Sequence, residues 1–124
     1  MILVTALAAA LLVTGAPEAP IPDDRTERVD VGYRELAGNR PEAAIARIEA
    51  NHSLPANDPA RLINLAAAHL MLERKTEARR MLTAAIASPD RFDLQLADGS
   101  WMDSRQAARM ALARLHGGAS FAVR

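Results

Sequence analysis

The stretch Asp58–Pro89 reads DPARLINLAAAHLMLERKTEARRMLTAAIASP, and its reading decides the fold. Asp58-Pro59 is a helix start. An aspartate cap accepts from an early N–H, and a proline at the first helical position has no N–H to leave unsatisfied. Leu62, Leu65, Ala66 and His69 form one stripe; Ile63, Ala67, Leu70 and Met71 form a second. A helix apolar on two sides is sandwiched between neighbours. After a short turn, Leu72–Lys75, a further helix over about Thr76–Ala87 carries one stripe: Ala78, Met81, Leu82, Ala85 and Ile86. Its other face bears Glu77, Arg79, Arg80 and Thr83, so it is an outer helix, and Ser88-Pro89-Asp90 stops it. The stretch is therefore an antiparallel helical hairpin, and the rest of the chain is expected to cover its faces.

Composition narrows what surrounds the hairpin. A chain of 124 residues makes one small domain. Half of it is apolar but only 3% is aromatic, so the core must be built from Ala, Leu, Ile, Val and Met. Fifteen basic residues balance fifteen acidic ones, which leaves no field to draw in nucleic acid or an anionic membrane. The absence of cysteine excludes disulfides, thiolate catalysis and cysteine-based zinc sites.

Residues 1–15, beginning MILVTALAAALLV, read as a signal peptide, with Val13 and Gly15 as the small residues before a mature start at Ala16. About a dozen apolar residues are too short to span the ~30 Å of hydrocarbon. The run lacks an early Lys or Arg, so an uncleaved N-terminal anchor and a misplaced start codon are the alternatives. As a signal peptide or an anchor, the run implies export, to the periplasm or held at the inner membrane. Residues 16–22, with three prolines in PEAPIP, are a linker. The domain is expected over residues 23–116. Its first helix should start at a capping box, Asp24 to Glu27, carry Val29, Tyr33, Leu36 and Ala37 on one face, and end at Gly38-Asn39. Pro41 opens a second helix with Ala44, Ile45 and Ile48 inward, and Asn51–Asn57 is a loop. Arg91–Met102 lacks helical period; Phe92, Leu94 and Leu96 alternate briefly, and Asp98-Gly99 is a turn signal. A last helix, capped by Asp103, sets Ala108, Ala111, Leu112 and Leu115 on one face, with Trp101 expected to be buried at its joint. Residues 117–124 are expected to fray as a flexible tail.

An offset of 34 residues maps Val29 to Ile63, Val31 to Leu65, Gly32 to Ala66, Leu36 to Leu70, Ala44 to Ala78 and Ile48 to Leu82. It fails at Arg28/Leu62, Glu35/His69, Ile45/Arg79 and Asn51/Ala85, so the first unit is degraded on one side. The better unit resembles the tetratricopeptide repeat (TPR) family: Leu62, Leu65, Ala66 and His69, then Ala78, Leu82, Ala85 and Pro89, stand at its pattern positions. His69 replaces the usual aromatic, and Glu73 stands where the turn glycine usually is. The segment DLQLADGSWMDSR is also similar to the C-terminal part of small exported repeat proteins of alphaproteobacteria. The resemblance covers roughly Asp24–Pro89 and implies an all-α fold. That fold would be a right-handed α-solenoid fragment of about two hairpins, closed by a C-terminal capping helix.

The same resemblance implies a binding groove lined by the first helix of each pair, at Val29, Tyr33, Ile63, Ala67, Leu70 and Met71, with Asn64 at its edge. Such an apolar face suits a helix or an extended peptide from a protein partner. Relatives that clamp a carboxylate need further Lys and Asn residues where this chain has Val29 and Tyr33, so no carboxylate clamp is expected. Chemistry is thin elsewhere. His52, His69 and His116 stand apart without ligand spacing, Ser100 and Ser104 lack a nucleophile elbow, and no glycine pattern cradles phosphate. An enzyme would need His69 to meet a carboxylate such as Glu35. No enzyme activity, metal or cofactor is expected. The competing reading is a self-associating structural scaffold, a homo-oligomer without a peptide groove.

Overall fold

The computed structural model describes residues 31–115 and 121–124. The expected leader, linker, capping box at Asp24, and Val29 lie outside them. The described chain is mostly helical: α1 (Tyr33–Ala37), α2 (Pro41–Ala50), α3 (Pro59–Met71), α4 (Lys75–Ala87), then strands β1 (Asp93–Gln95) and β2 (Trp101–Asp103), and α5 (Ser104–Leu115). Among the described residues no helix is long and apolar enough to cross a membrane.

The starts follow local chemistry. Asp58 accepts from the Arg61 N–H at 2.9 Å and Pro59 opens α3. Pro41 opens α2, and Asp103 accepts from the N–H groups of Arg105 and Gln106 at the head of α5. The first helix departs from expectation, since within the described residues it begins only at Tyr33. Gly32 sits at φ 71°, which no right-handed helix can pass through. A Cβ added there would lie 3.1 Å from the Ile48 side chain and 3.2 Å from the Ala44 carbonyl, so the residue is confined by space as well as by backbone.

The turn that ends α1 is rebuilt at the end of α3. Asn39 N–H donates to Leu36 C=O at 3.1 Å, and Arg40 N–H to Glu35 C=O at 2.8 Å. Glu73 N–H donates to Leu70 C=O at 2.9 Å, and Arg74 N–H to His69 C=O at 2.8 Å. Each pair is a Schellman closure, which satisfies carbonyls that a helix end leaves open. Each needs one left-handed residue, supplied by Asn39 at φ 57° and Glu73 at φ 60°. All these residues, and the starts of α2 and α4, are related by the same 34-residue offset. The internal repeat thus extends from side chains to backbone hydrogen bonds.

The core sits around α3, which packs most extensively on α4 and also meets α1, α2 and α5. Both of its stripes are inward: Leu62, Ile63, Leu65, Ala66 and Ala67 are all buried. Ala66, Ala78 and Ala85 are fully buried, and small residues at such contacts let helices approach to ~8–10 Å. Ile48 and Leu82 are fully buried as well, each contributing roughly 1.5–3 kcal/mol by leaving water. Arg61 donates to the Ile48 carbonyl at 2.9 Å, tying the start of α3 to the end of α2.

Three further expectations are corrected. Residues 93–103 form an antiparallel hairpin, with Asp93 opposite Asp103, Leu94 opposite Met102 and Gln95 opposite Trp101, turned at Gly99 with φ 88°. The fold is therefore helical with one small sheet. Trp101 is 66% exposed, because its place opposite Gln95 puts it on the outer face of the hairpin; Leu94, on the inner face, is buried instead. The segment expected to fray is also packed where it is described. Val123 is only 2% exposed, forms an antiparallel bridge with Leu96, and Arg124 N–H donates to the Gln95 carbonyl at 2.7 Å.

Candidate functional site

The candidate site is the face of α3 that meets Phe121–Arg124. Its centre is Asn64, fully buried on α3. The Asn64 amide nitrogen donates to the carbonyl of Val31 at 2.9 Å and to that of Val123 at 2.7 Å. Its carbonyl oxygen accepts from the Val123 N–H at 2.8 Å. One side chain thus holds both backbone polar groups of Val123 and fastens residue 31 beside them. A buried asparagine on an apolar helix is costly without partners, and these three bonds supply them.

A cleft of about 450 Å³ opens beside this seat. Tyr33, Ile63 and Met71 line one side, α5 contributes Ala107, Met110 and Arg114, and Phe121–Val123 form part of the wall. Unbranched Met71, Met102 and Met110 give it an adaptable apolar surface. The Arg124 guanidinium lies 5.2 Å from the centre of the Tyr33 ring, within cation–π range.

The residues expected to line the groove divide. Tyr33, Ile63 and Met71 come together on the cleft. Ala67 is buried in a cluster with Leu36, Ala44 and Ala68, and half-buried Leu70 packs on the main core. Asn64 lies beneath Phe121–Arg124 rather than at an edge. Val29 lies outside the described residues. What the sequence reading missed is the occupant. Phe121-Ala122-Val123 is a short apolar run with a β-branched residue, a composition that suits an extended, half-buried strand better than a solvated tail.

No protein-family model, curated protein or solved structure matches the chain.

Several titratable groups among the described residues have perturbed or paired environments around this framework. Glu35 pairs with Arg47 at 2.9 Å. His69 is half-buried; burial, and next the Arg74 charge, holds its pKa below the ordinary value. Its Nδ1 is buried without a hydrogen-bond partner. Asp103 is held below the usual carboxylate range, chiefly by its hydrogen bond from Arg91 at 2.6 Å across the hairpin base. Asp58 is pushed up, mainly by burial. Among the described residues no three His, Cys, Asp or Glu side chains converge as a metal site.

Proposed function

We propose that this chain is a non-enzymatic protein-interaction module, a fragment of right-handed α-solenoid made of about two TPR-like hairpins and a capping helix, that binds an extended peptide. The observation that carries this reading is Asn64: an α3 side chain already grips a peptide backbone, at Val123, through both of its polar groups. The duplicated Schellman turn at the 34-residue offset supports the repeat architecture. The apolar cleft at Tyr33, Ile63 and Met71 supports a peptide or helix partner. The apolar run in residues 1–15 supports export to the periplasm or an inner-membrane anchor, and so a partner in the cell envelope.

The test is affinity capture from envelope fractions with wild type and with Tyr33→Glu/Met71→Glu, both checked for helicity by circular dichroism. Recovery of the same partners at the same yield by both would overturn the reading. Sequencing the mature N-terminus by mass spectrometry tests the export step.

A second reading is self-association, favoured by the exposure of Trp101 (66%) and Phe92 (47%) on the hairpin. Light scattering over a concentration series decides it, and a strict monomer would remove it.

A further inference from the structure

We infer that the seat of Phe121–Arg124 is a peptide-recognition site held closed in cis. The partner it fits in trans is an extended peptide of the same chemistry: a small β-branched aliphatic residue followed by a basic one. This rests on the peptide-binding reading above and specifies its ligand and its regulation.

The recognition is built mostly from backbone. Asn64 meets the N–H and C=O of Val123, as a neighbouring strand would, and the Gln95 carbonyl accepts from the Arg124 N–H. With the single antiparallel Leu96–Val123 bridge, the segment lies along the β1 end of the hairpin as an incoming strand would. Backbone bonds of this kind admit any sequence that is extended; side-chain pockets then choose among them. Here two choices are visible. Val123 is sealed from solvent, so the position takes an aliphatic side chain of its size and rejects a charge, and β-branching favours the extended form. Arg124 lies over the Tyr33 ring, so the next position favours a cation.

The occupant is also replaceable. Of its four residues only Val123 is fully buried; Phe121 and Ala122 are half-buried and Arg124 is exposed. The cleft beside it is walled by the segment itself, so an incoming peptide has room to approach the seat directly. A tethered occupant competes at an effective concentration of order millimolar. The site therefore answers to partners in trans only when they bind better than the cis segment or when the segment is unseated.

The test is a titration of isotopically labelled full-length chain with an acetylated and amidated peptide, Ser-Phe-Ala-Val-Arg, reading the Asn64 side-chain amide resonances. Val123→Asp unseats the cis segment by placing a charge in the sealed position. Arg124→Pro, a milder variant, removes the N–H donated to Gln95. Both are expected to bind the peptide at least tenfold more tightly than wild type, and a peptide with Asp in place of Val is expected not to bind. If Val123→Asp does not fold, Arg124→Pro alone decides. A wild-type dimer that exchanges this segment, and is lost in Val123→Asp, supports the same seat filled by a second copy. Equal affinity of wild type and folded variants, or no response of the Asn64 amide in any of them, would overturn the inference. If partner capture still depends on Tyr33 and Met71 while the peptide elicits no response, this assignment falls and the broader binding reading stands.

Discussion

Replacing Asn64 by alanine is the most demanding test of how the fold is closed. The substitution removes three hydrogen bonds, to Val31 C=O, Val123 C=O and Val123 N–H, all at a side chain with no solvent exposure. At about 1 kcal/mol net for each bond, the loss is about 3 kcal/mol, and it rises where a buried carbonyl or N–H is left without water. For a domain of this size 1 kcal/mol moves Tm by roughly 4–8 °C, so Tm should fall by roughly 12–24 °C. Asn64→Asp sharpens the argument. It keeps an acceptor for the Val123 N–H but turns a carboxylate oxygen toward two carbonyls. It should therefore cost more than alanine near neutral pH and recover partly in acid, where the carboxyl is protonated. The assay is urea unfolding followed by circular dichroism, with amide hydrogen exchange at Val123 as the local readout. Protection there should collapse in Asn64→Ala while the α3–α4 amides keep theirs relative to global stability. Loss of less than about 1 kcal/mol, with Val123 still protected, would refute the view that this amide fastens the outer segments.

The other predictions address the turn, the hairpin and the half-buried imidazole. Glu73→Gly should raise stability by about 0.5–1 kcal/mol in urea unfolding, because a left-handed non-glycine residue costs ~1–2 kcal/mol and glycine gives back part of that through the unfolded chain. Asn39→Gly should gain less, since asparagine tolerates that region. Trp101→Ala should change thermal stability by less than about 0.5 kcal/mol, whereas Leu94→Ala on the inner face should cost about 2–5 kcal/mol. His69 has its folded-state pKa lowered, chiefly by burial, so the unfolded chain takes up its proton first as pH falls below 6.5. Its contribution is present at pH 7.5 and is lost as pH drops through 6.5 toward the folded-state value. His69→Phe should flatten that part of the stability–pH profile between pH 7.5 and 5.5; an unchanged slope would exclude His69 as its source.

Much of the helical framework is legible from neighbouring residues alone. Asp58-Pro59, Pro41 and Asp103 mark helix starts through local geometry, and α3, α2 and α5 begin at or directly after them; α4, expected from Thr76, begins at Lys75 without such a cap. The two stripes of α3 give its central place because burial on both sides leaves a periodic trace. Trp101 is misread because its face depends on pairing with Gln95, and a three-residue strand is too short to declare its inward side. Asn64 is misplaced for a related reason. Its partners are 33 and 59 residues away, and no local pattern states that a distant valine will bring its backbone there. Gly32 shows the same limit: one left-handed residue shortens α1 within an otherwise helical pattern.

The carbonyls of Val31 and Val123 share one amide nitrogen, so the margins of the described fold lie no farther apart than two hydrogen bonds laid end to end. The backbone between them is a ring of roughly ninety residues closed by a noncovalent stitch, and closing such a ring carries an entropic cost that grows only slowly with its length. Tension applied between residues 31 and 123 therefore bears on the Asn64 amide directly. Proximity of this kind also suits circular permutation: a short bridge from residue 123 to residue 31, with new ends cut in the exposed loop near Ser53, would preserve every described helix while making the stitch covalent.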